Sequence, residues 1–485
     1  MKEKVKLIEN NALKVMDKSH ISVVSSNYSK ELEQEYSLSY YINNIFQLAV
    51  PNTITHSAWV IQSLIGIYYV GLLDDIKLLD GISLGYSWVS VFGYSIILGF
   101  SSALDTFVTQ FYGSGDFKAC GRMLNKSFVI VLVMCIPCLM MQCISGTVFN
   151  LMGIDHEVSM YSFRVALTLT PSIAIYVPLI LVEKFLMGQQ ITKPQMAIQL
   201  INTVLYPLYC HICVFWFGWG LYGVVVVRAF SEAIYVAALV VYMKVSHCCD
   251  ESLVTPTMDV FKGWNEYLSV AWPSLFMTVL EWWGFEILNL LCGKIGPIDL
   301  AANVIGVNFI NFIYLFCTGI GTSSGTLVGN SIGEGNIKNA KRYIWVGIGM
   351  TLATMGLMDI GLLVFRSSLS RVFSREPEVV EIVGNIICMI AIQVLSDGTQ
   401  ATQTKILIAM GRQSQATWVS LFSYYVIMLP LGILGSFYWG WRVYGIWFST
   451  IVATFFVTMG YNYLLCTEKW IDIKKEALSE NIDST

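Results

Sequence analysis

Three carboxylates sit where an apolar chain does not ordinarily place them. VLEWWGFEILN carries Glu281 and Glu286, and IAIQVLSDGTQATQTKILIAMG carries Asp397. Both stretches are long and apolar enough to lie in hydrocarbon, where an ionisable side chain costs at least ~2.5 kcal/mol at a helix centre. Each acid is therefore a functional candidate by default. A carboxyl group held out of bulk water can carry a proton and release it when a cation competes for the same place, which is the chemistry of ion-coupled exchange. At about 100° per residue, the five residues from Glu281 to Glu286 turn a helix by roughly 500°. The two acids then point in different directions, one able to face a cavity while the other faces its own half of the molecule. The plainer reading, a structural hydrogen bond to a neighbouring helix, weighs more heavily at Glu286.

Other polar residues join these acids by helical spacing. Gln393, Asp397, Gln400 and Thr404 form one stripe, which must face an interior or water rather than lipid. Gln393 and Thr404 suit interhelical packing, where a hydrogen bond contributes ~0.6 kcal/mol. Asn308, with Asn311, Thr318 and Thr322, is a candidate for the same cavity. Asn52, Thr55, His56, Trp59 and Gln62 follow Pro51, and a lone His56 is more often a satisfied core group than a titrating one. Arg228 and Glu232, four apart, suit a structural ion pair. Asp105 stands near a glycine-rich turn that it could order. Trp282, Trp283 and Phe285 flank Glu281 in sequence. Aromatic faces attract cations, more strongly when desolvated, so this carboxylate among rings fits an organic-cation site.

The elements that must hold these residues are membrane helices. The chain is 55% hydrophobic and 13% charged, against about 25% charged in soluble domains, and its mean hydropathy is +0.62. Twelve stretches reach the ~20 apolar residues that a spanning helix needs. Six run Tyr41–Leu72, Ser83–Thr109, Phe128–Met152, Tyr161–Leu186, Gln195–Phe217 and Leu221–Lys244. The other six run Glu266–Leu291, Ala302–Leu327, Ile344–Val364, Val379–Ile408, Trp418–Trp439 and Tyr444–Cys466. The two sets are copies. DTFVTQFYGSGDFKACGRM from Asp105 matches GTLVGNSIGEGNIKNAKRY from Gly325 at Gly113/Gly333, Gly115/Gly335, Lys118/Lys338 and Arg122/Arg342. FGWGLYG matches WGWRVYG, again roughly 220 residues on. Six helices per copy means that both copies cross in the same sense, as in parallel transporter repeats.

The fold expected is thus an all-α integral membrane protein of twelve transmembrane helices in two parallel six-helix lobes around a central cavity. Residues 1–40 form an N-terminal tail, 41–245 the N-lobe, 246–265 an inter-lobe loop, 266–466 the C-lobe and 467–485 a C-terminal tail. Lys and Arg are richer in the tails and in the loops after the even-numbered helices, where Lys118, Lys184, Lys262, Lys338 and Lys405 fall, so both termini are expected in the cytoplasm. The first ~40 residues lack the apolar run of a signal peptide. The twelve cysteines lie mostly in apolar runs without metal-ligand spacing and read as free thiols. A formal charge of −4 argues against nucleic acid. No HExxH motif, phosphate-binding loop or catalytic triad marks an enzyme, and no cofactor is indicated.

These residues resemble the multidrug and toxic compound extrusion (MATE) transporters. ALDTFVTQFYGSG and VGNSIGEGNIKNAKR look like that family's segments after its second and eighth helices. GQQITKPQ is a further match. LEWWGFE is similar to the seventh-helix signature of the eukaryotic branch, and SDGTQ to a tenth-helix signature. The resemblance spans about Tyr40 to Cys466. It implies export of organic cations or xenobiotics in exchange for protons, with sodium used in some branches. It also implies coupling and binding roles at Glu281 and Asp397, with Glu286 matching a further acid. Trp282, Gln400 and Asn308 complete the expected site. One departure stands out: Lys405 and Ile408 replace the glycine and arginine that the family's pattern carries there. Lys405 lies two turns from Asp397, within reach of nearby acids.

The expected activity is proton-driven antiport by rocking of the two lobes, with acids of the seventh and tenth helices carrying the coupling. A sodium-coupled exporter is the alternative within the same class. A lipid or oligosaccharide flippase of the same superfamily is a second, disfavoured because the predicted cavity is acidic and aromatic rather than cationic. The expected partners are a small organic cation or xenobiotic, the coupling ion and the lipid bilayer. One two-lobed chain supplies a complete pathway, so a monomer is expected, in the plasma membrane or in a vacuolar or other organelle membrane.

Overall fold

Twelve long helices make up most of the described residues. The computed structural model describes residues 36–72, 76–373, 376–468 and 470, leaving the side chains of 76–80 and 373 aside. Most of both predicted tails, with Arg375, Lys469, Lys474 and Lys475, lies outside the described residues. The N-terminal helices are α1 (Leu38–Gly71), α2 (Ile76–Val89, Ser90–Tyr94 and Ser95–Ser114 in one rod), α3 (Phe117–Gln142), α4 (His156–Gly188), α5 (Lys193–Trp216) and α6 (Leu221–Ser246). The second set is α7 (Trp264–Ile295), α8 (Pro297–Gly333), α9 (Ile337–Phe373), α10 (Pro377–Ala409), α11 (Gln413–Tyr438) and α12 (Val443–Thr467). Helices are the natural state here, because an open-ended backbone in hydrocarbon must satisfy its polar groups within each segment. Eleven of these helices are long and apolar enough to cross a membrane. The remaining one, α1, has the length, at 34 residues, but carries Asn43, Asn44, Gln47, Asn52 and Gln62 among its apolar residues. Its polar side is buried against protein: Asn52 and Gln62 are 6% and 1% exposed.

The repeated G-x-G-[DN] turn has a physical reason at each position. Gly115 and Gly335 have φ of +79° and +75°, the left-handed conformation that ends a helix and that glycine adopts without steric cost. Asp116 then accepts a hydrogen bond from the Ala119 amide at 3.0 Å, and Asn336 from the Asn339 amide at 3.1 Å. Each side chain caps the next helix. As a result α3 begins at Phe117 and α9 at Ile337, earlier than the apolar pattern predicts. Lys118, Arg122, Lys338 and Arg342 lie on the first two helical turns rather than in loops. Two other basic residues counted in loops also sit inside helices: Lys184 is in α4 and Lys405 in α10.

The first glycine of each turn has a different task. A Cβ on Gly113 would strike the Asn330 backbone, and one on Gly333 the Gln110 backbone. So α2 and α8, equivalent helices of the two repeats, cross with their backbones in contact. Thr106 donates to the Ile408 carbonyl at 2.5 Å, Gln110 to the Ala409 carbonyl at 2.9 Å, and Gln413 to the Thr106 hydroxyl at 2.8 Å. Tyr41 and Asn44 of α1 bond Asn339 and Tyr343 of α9 at 2.7 and 2.8 Å. All these bonds close the end of the bundle that carries both described termini and the link from α6 to α7.

The apolar core divides into two large clusters, and helices exchange halves between them. Tyr41, Ile45, Leu48 and Ala49 of α1 pack with the second-repeat core. Tyr267, Ala271, Leu275 and Val279 of α7 pack with the first-repeat core. The exchange is symmetric, since α1 and α7 are equivalent. It leaves each repeat holding one end of the other.

Gly115→Ala and Gly335→Ala are expected to cost about 1–2 kcal/mol each through their left-handed backbone. Gly113→Ala and Gly333→Ala should instead leave both lobes folded but block closure of this end. A disulfide engineered between Gln110→Cys and Ala409→Cys, scored after cleavage between the lobes, should form in the parent and fail in the Gly333→Ala background.

Candidate functional site

Glu281 of α7 and the polar stripe of α10 meet. The Gln400 amide nitrogen lies 3.4 Å from Glu281 Oε2 and at the same distance from the Thr404 hydroxyl. Asp397, 5% exposed, sits one turn along α10, close enough for its charge to be felt at Glu281. Three tyrosines border the pair: Tyr314 of α8, Tyr424 of α11 and Tyr461 of α12 all sense the Glu281 charge. Among the described residues, the Tyr424 hydroxyl and the Gln400 amide oxygen are buried without a hydrogen-bond partner. Tyr424 reaches this place from a π-helical stretch, Phe422–Met428, whose extra residue per turn re-aims side chains and often marks a functional site.

The other sequence candidates are placed elsewhere. Glu286 lies beside Asn289, which in turn accepts from Asn303 at 2.9 Å. The Asn308 amide donates to its own helix, at the Val304 carbonyl, 2.9 Å away. Trp283 donates to the Val91 carbonyl at 3.3 Å and packs on Phe92, while Phe285 packs on Tyr424. No bond or ring contact joins Trp282 to Glu281 among the described residues. Successive helical residues point about 100° apart, so three neighbours cannot enclose one carboxylate. The aromatic rim that sequence placed on α7 is instead supplied by tyrosines from α8, α11 and α12. Their apolar surroundings give them no signal in sequence.

Below Glu281, towards the closed end, lies a second group of charges. Lys184 of α4 pairs with Asp105 of α2, so Asp105 holds a helix rather than a turn. Lys405 stands within the field of Glu281, Asp105 and Lys184, and His56 of α1 within that of Lys405 and Lys184. His56 is exposed on α1. The first lobe has its own polar cluster. Arg228 Nε bonds Glu232 at 2.9 Å, and the guanidinium lies over Trp59 and Tyr94 at 5.5 and 5.7 Å from their ring centres. Ser172 donates to Glu232, and Tyr235 to Glu183 at 2.9 Å. Glu183 was hidden in sequence by its place near the end of an apolar run, which continues as helix to Gly188. The twelve cysteines are free, Cys248 and Cys249 lying with their sulfurs 3.5 Å apart. Two grooves of about 580 and 790 Å³ open at the termini end, beside Arg122 and Lys126 and beside Lys341 and Trp345. Neither touches Glu281, Glu286 or Asp397.

A duplicated twelve-helix membrane bundle with ionisable groups between its lobes defines a secondary transporter. The MatE family model matches residues 51–212 and again residues 273–434, once in each repeat and over more than half of the chain. The chain belongs to the MatE family, whose members are transporters and not enzymes. Protein DETOXIFICATION 14 of Arabidopsis thaliana is 28% identical, over 84% of this chain and 84% of its own. Multidrug and toxin extrusion protein 1 of Xenopus tropicalis is 26% identical, over 84% of this chain and 71% of its own. The crystal structure of the eukaryotic MATE transporter AtDTX14 superimposes with a TM-score of 0.86 at 26% identity, covering 91% of this chain and 99% of that one. An outward-facing multidrug resistance MATE family transporter shares the fold, with a TM-score of 0.79 at 14% identity over 89% and 96% of the two chains.

Lys184→Met is expected to destabilise the protein by about 2 kcal/mol, because it leaves Asp105 without its partner in a site largely closed to water. The double variant with Asp105→Asn should recover part of that loss. Thermal unfolding of the four proteins in detergent checks this, and additive losses would show that the pair is not coupled.

Proposed function

We propose that the chain exports organic cations in exchange for protons and that Glu281 is its coupling acid, with Asp397 and Gln400 completing the site. The observation that carries this reading is the meeting of Glu281 with the α10 stripe inside the bundle. Gln400 turns an N–H donor towards the carboxylate, and hydroxyls of Tyr314, Tyr424 and Tyr461 stand nearby. Donors of this kind support a carboxyl that alternates between charged and neutral. The likeness of LEWWGFE to the eukaryotic seventh-helix signature favours protons over sodium.

The sealed termini end corresponds to a state open on the opposite side. Lys118, Arg122, Lys338 and Arg342 in the first two turns of α3 and α9 keep the excess of positive charge at the sealed end, which supports a cytoplasmic location for it. In the outward-open state Glu281 takes up a proton, loses its charge and releases the cation. The lobes then rock about the α2–α8 crossing. On the cytoplasmic side Glu281 loses its proton and the next cation binds. The chain is a complete pathway and works as a monomer in a plasma or organelle membrane. Asn308, Trp282 and Glu286 stay outside the coupling step and serve substrate contact or helix packing.

Glu281→Gln is expected to fold and reach the membrane but to lose pH-driven efflux of a fluorescent organic cation from proteoliposomes, by about 100-fold or more. Sodium-driven efflux of equal rate in the parent, or near-normal pH-driven efflux in the variant, would overturn the reading.

A further inference from the structure

One face of α9 matches the edge of a bilayer. Lys338, Lys341, Arg342, Trp345, Gly349 and Ala353 recur at three- and four-residue steps, which puts them on a single stripe, and all six are exposed. With Leu38 and Ile42 of α1 this stripe lines the larger of the two grooves, about 790 Å³ in volume. The cations occupy one end of the stripe and apolar residues the rest. Among the described residues no acid lines this groove, whereas Asp259 and Glu266 line the smaller one beside Arg122 and Lys126. A Cβ on Gly349 would meet no atom within 4 Å, so the groove is open along its apolar part.

Length and level both fit a lipid. The helix from Lys338 to Ala353 rises about 22 Å, which is one leaflet of a bilayer about 40–45 Å thick with its headgroups. Trp345 follows one turn after the cations, and the Trp470 ring centre lies 5.2 Å from the Lys341 ammonium. Indoles settle between headgroups and hydrocarbon. The basic end therefore stands at headgroup level, and the apolar residues beyond it face acyl chains.

We propose that the α1–α9 groove binds one anionic phospholipid, with its phosphate at Lys338, Lys341 and Arg342 and an acyl chain along Trp345, Gly349 and Ala353. Clustered cations at a membrane surface attract a negatively charged headgroup, by about fivefold in affinity for each basic residue. A zwitterionic lipid offers the same chains without the net charge. Leu38 and Ile42 supply the second wall, beside the Tyr41–Asn339 and Asn44–Tyr343 bonds. The bound lipid thus touches both helices of that contact.

Native mass spectrometry of the full chain in detergent tests this, with phosphatidylglycerol and phosphatidylcholine of identical acyl chains titrated in turn. The parent is expected to hold one phosphatidylglycerol about tenfold or more tighter than phosphatidylcholine. The combined variant Lys338→Gln, Lys341→Gln and Arg342→Gln should lose that preference. Gly349→Leu, which fills the apolar part and suits a helix, should weaken phosphatidylglycerol binding with all three cations intact. Equal binding of the two lipids by the parent would overturn the site and leave the groove to another occupant, such as residues 1–35 of this chain. An unchanged preference in the combined variant would also overturn it. So would full binding by Gly349→Leu, because charge attraction alone would then account for the preference.

Discussion

Two backbones touch where α2 crosses α8, and the arrangement of both lobes follows from that contact. Gly113 and Gly333 permit it because neither has a side chain, and each faces the backbone of the other repeat at an equivalent position. A close crossing gathers many weak dispersion contacts and brings polar atoms within bonding distance. Here Thr106, Gln110 and Gln413 complete it. The same four-residue signature closes one helix and opens the next. The crossing therefore sits next to tight turns that fix the ends of α2, α3, α8 and α9.

Charge placement follows from this frame. Ionisable groups are tolerated in hydrocarbon only where protein or water replaces the lipid, and the space between the lobes is such a place. Glu281, Asp397, Lys405, Lys184, Asp105 and His56 come from five different helices of both repeats yet converge there. Glu232 pairs with Arg228 within the first lobe, whereas Glu281 and Asp397 make no ion pair among the described residues. Asymmetry between two copies of one ancestral unit is thus chemical rather than architectural. The repeats agree in turns and crossings and differ in the charged groups they hold.

Much of this was legible in sequence. Twelve apolar runs, the glycine turns and the offset between copies lead directly to the two-repeat bundle, and the acids of α7 and α10 were visible as charges in apolar stretches. What sequence could not show was mostly a matter of direction. LEWWGFE reads as a carboxylate among rings, but a helix turns adjacent side chains away from one another, and Trp283 faces the other repeat. Tyr314, Tyr424 and Tyr461 carry no mark that distinguishes a cavity tyrosine from a core one. Lys184 and Lys405 read as loop residues because they follow apolar runs, although both helices continue past them. The starts of α3 and α9 were hidden because Asp116 and Asn336 act as caps inside segments whose charges look like loop.

The central claim is that protonation at Glu281 sets which end of the bundle is open. Spin labels at the exposed Met152 and Val372, one from each repeat at the end opposite the termini, would report the gap between the lobes by pulsed electron–electron resonance. The account predicts two distance populations in lipid whose ratio changes between pH 5 and pH 8, and a ratio that no longer responds to pH in Glu281→Gln. A single distance that ignores pH and substrate, or an unchanged pH response in the variant, would contradict it.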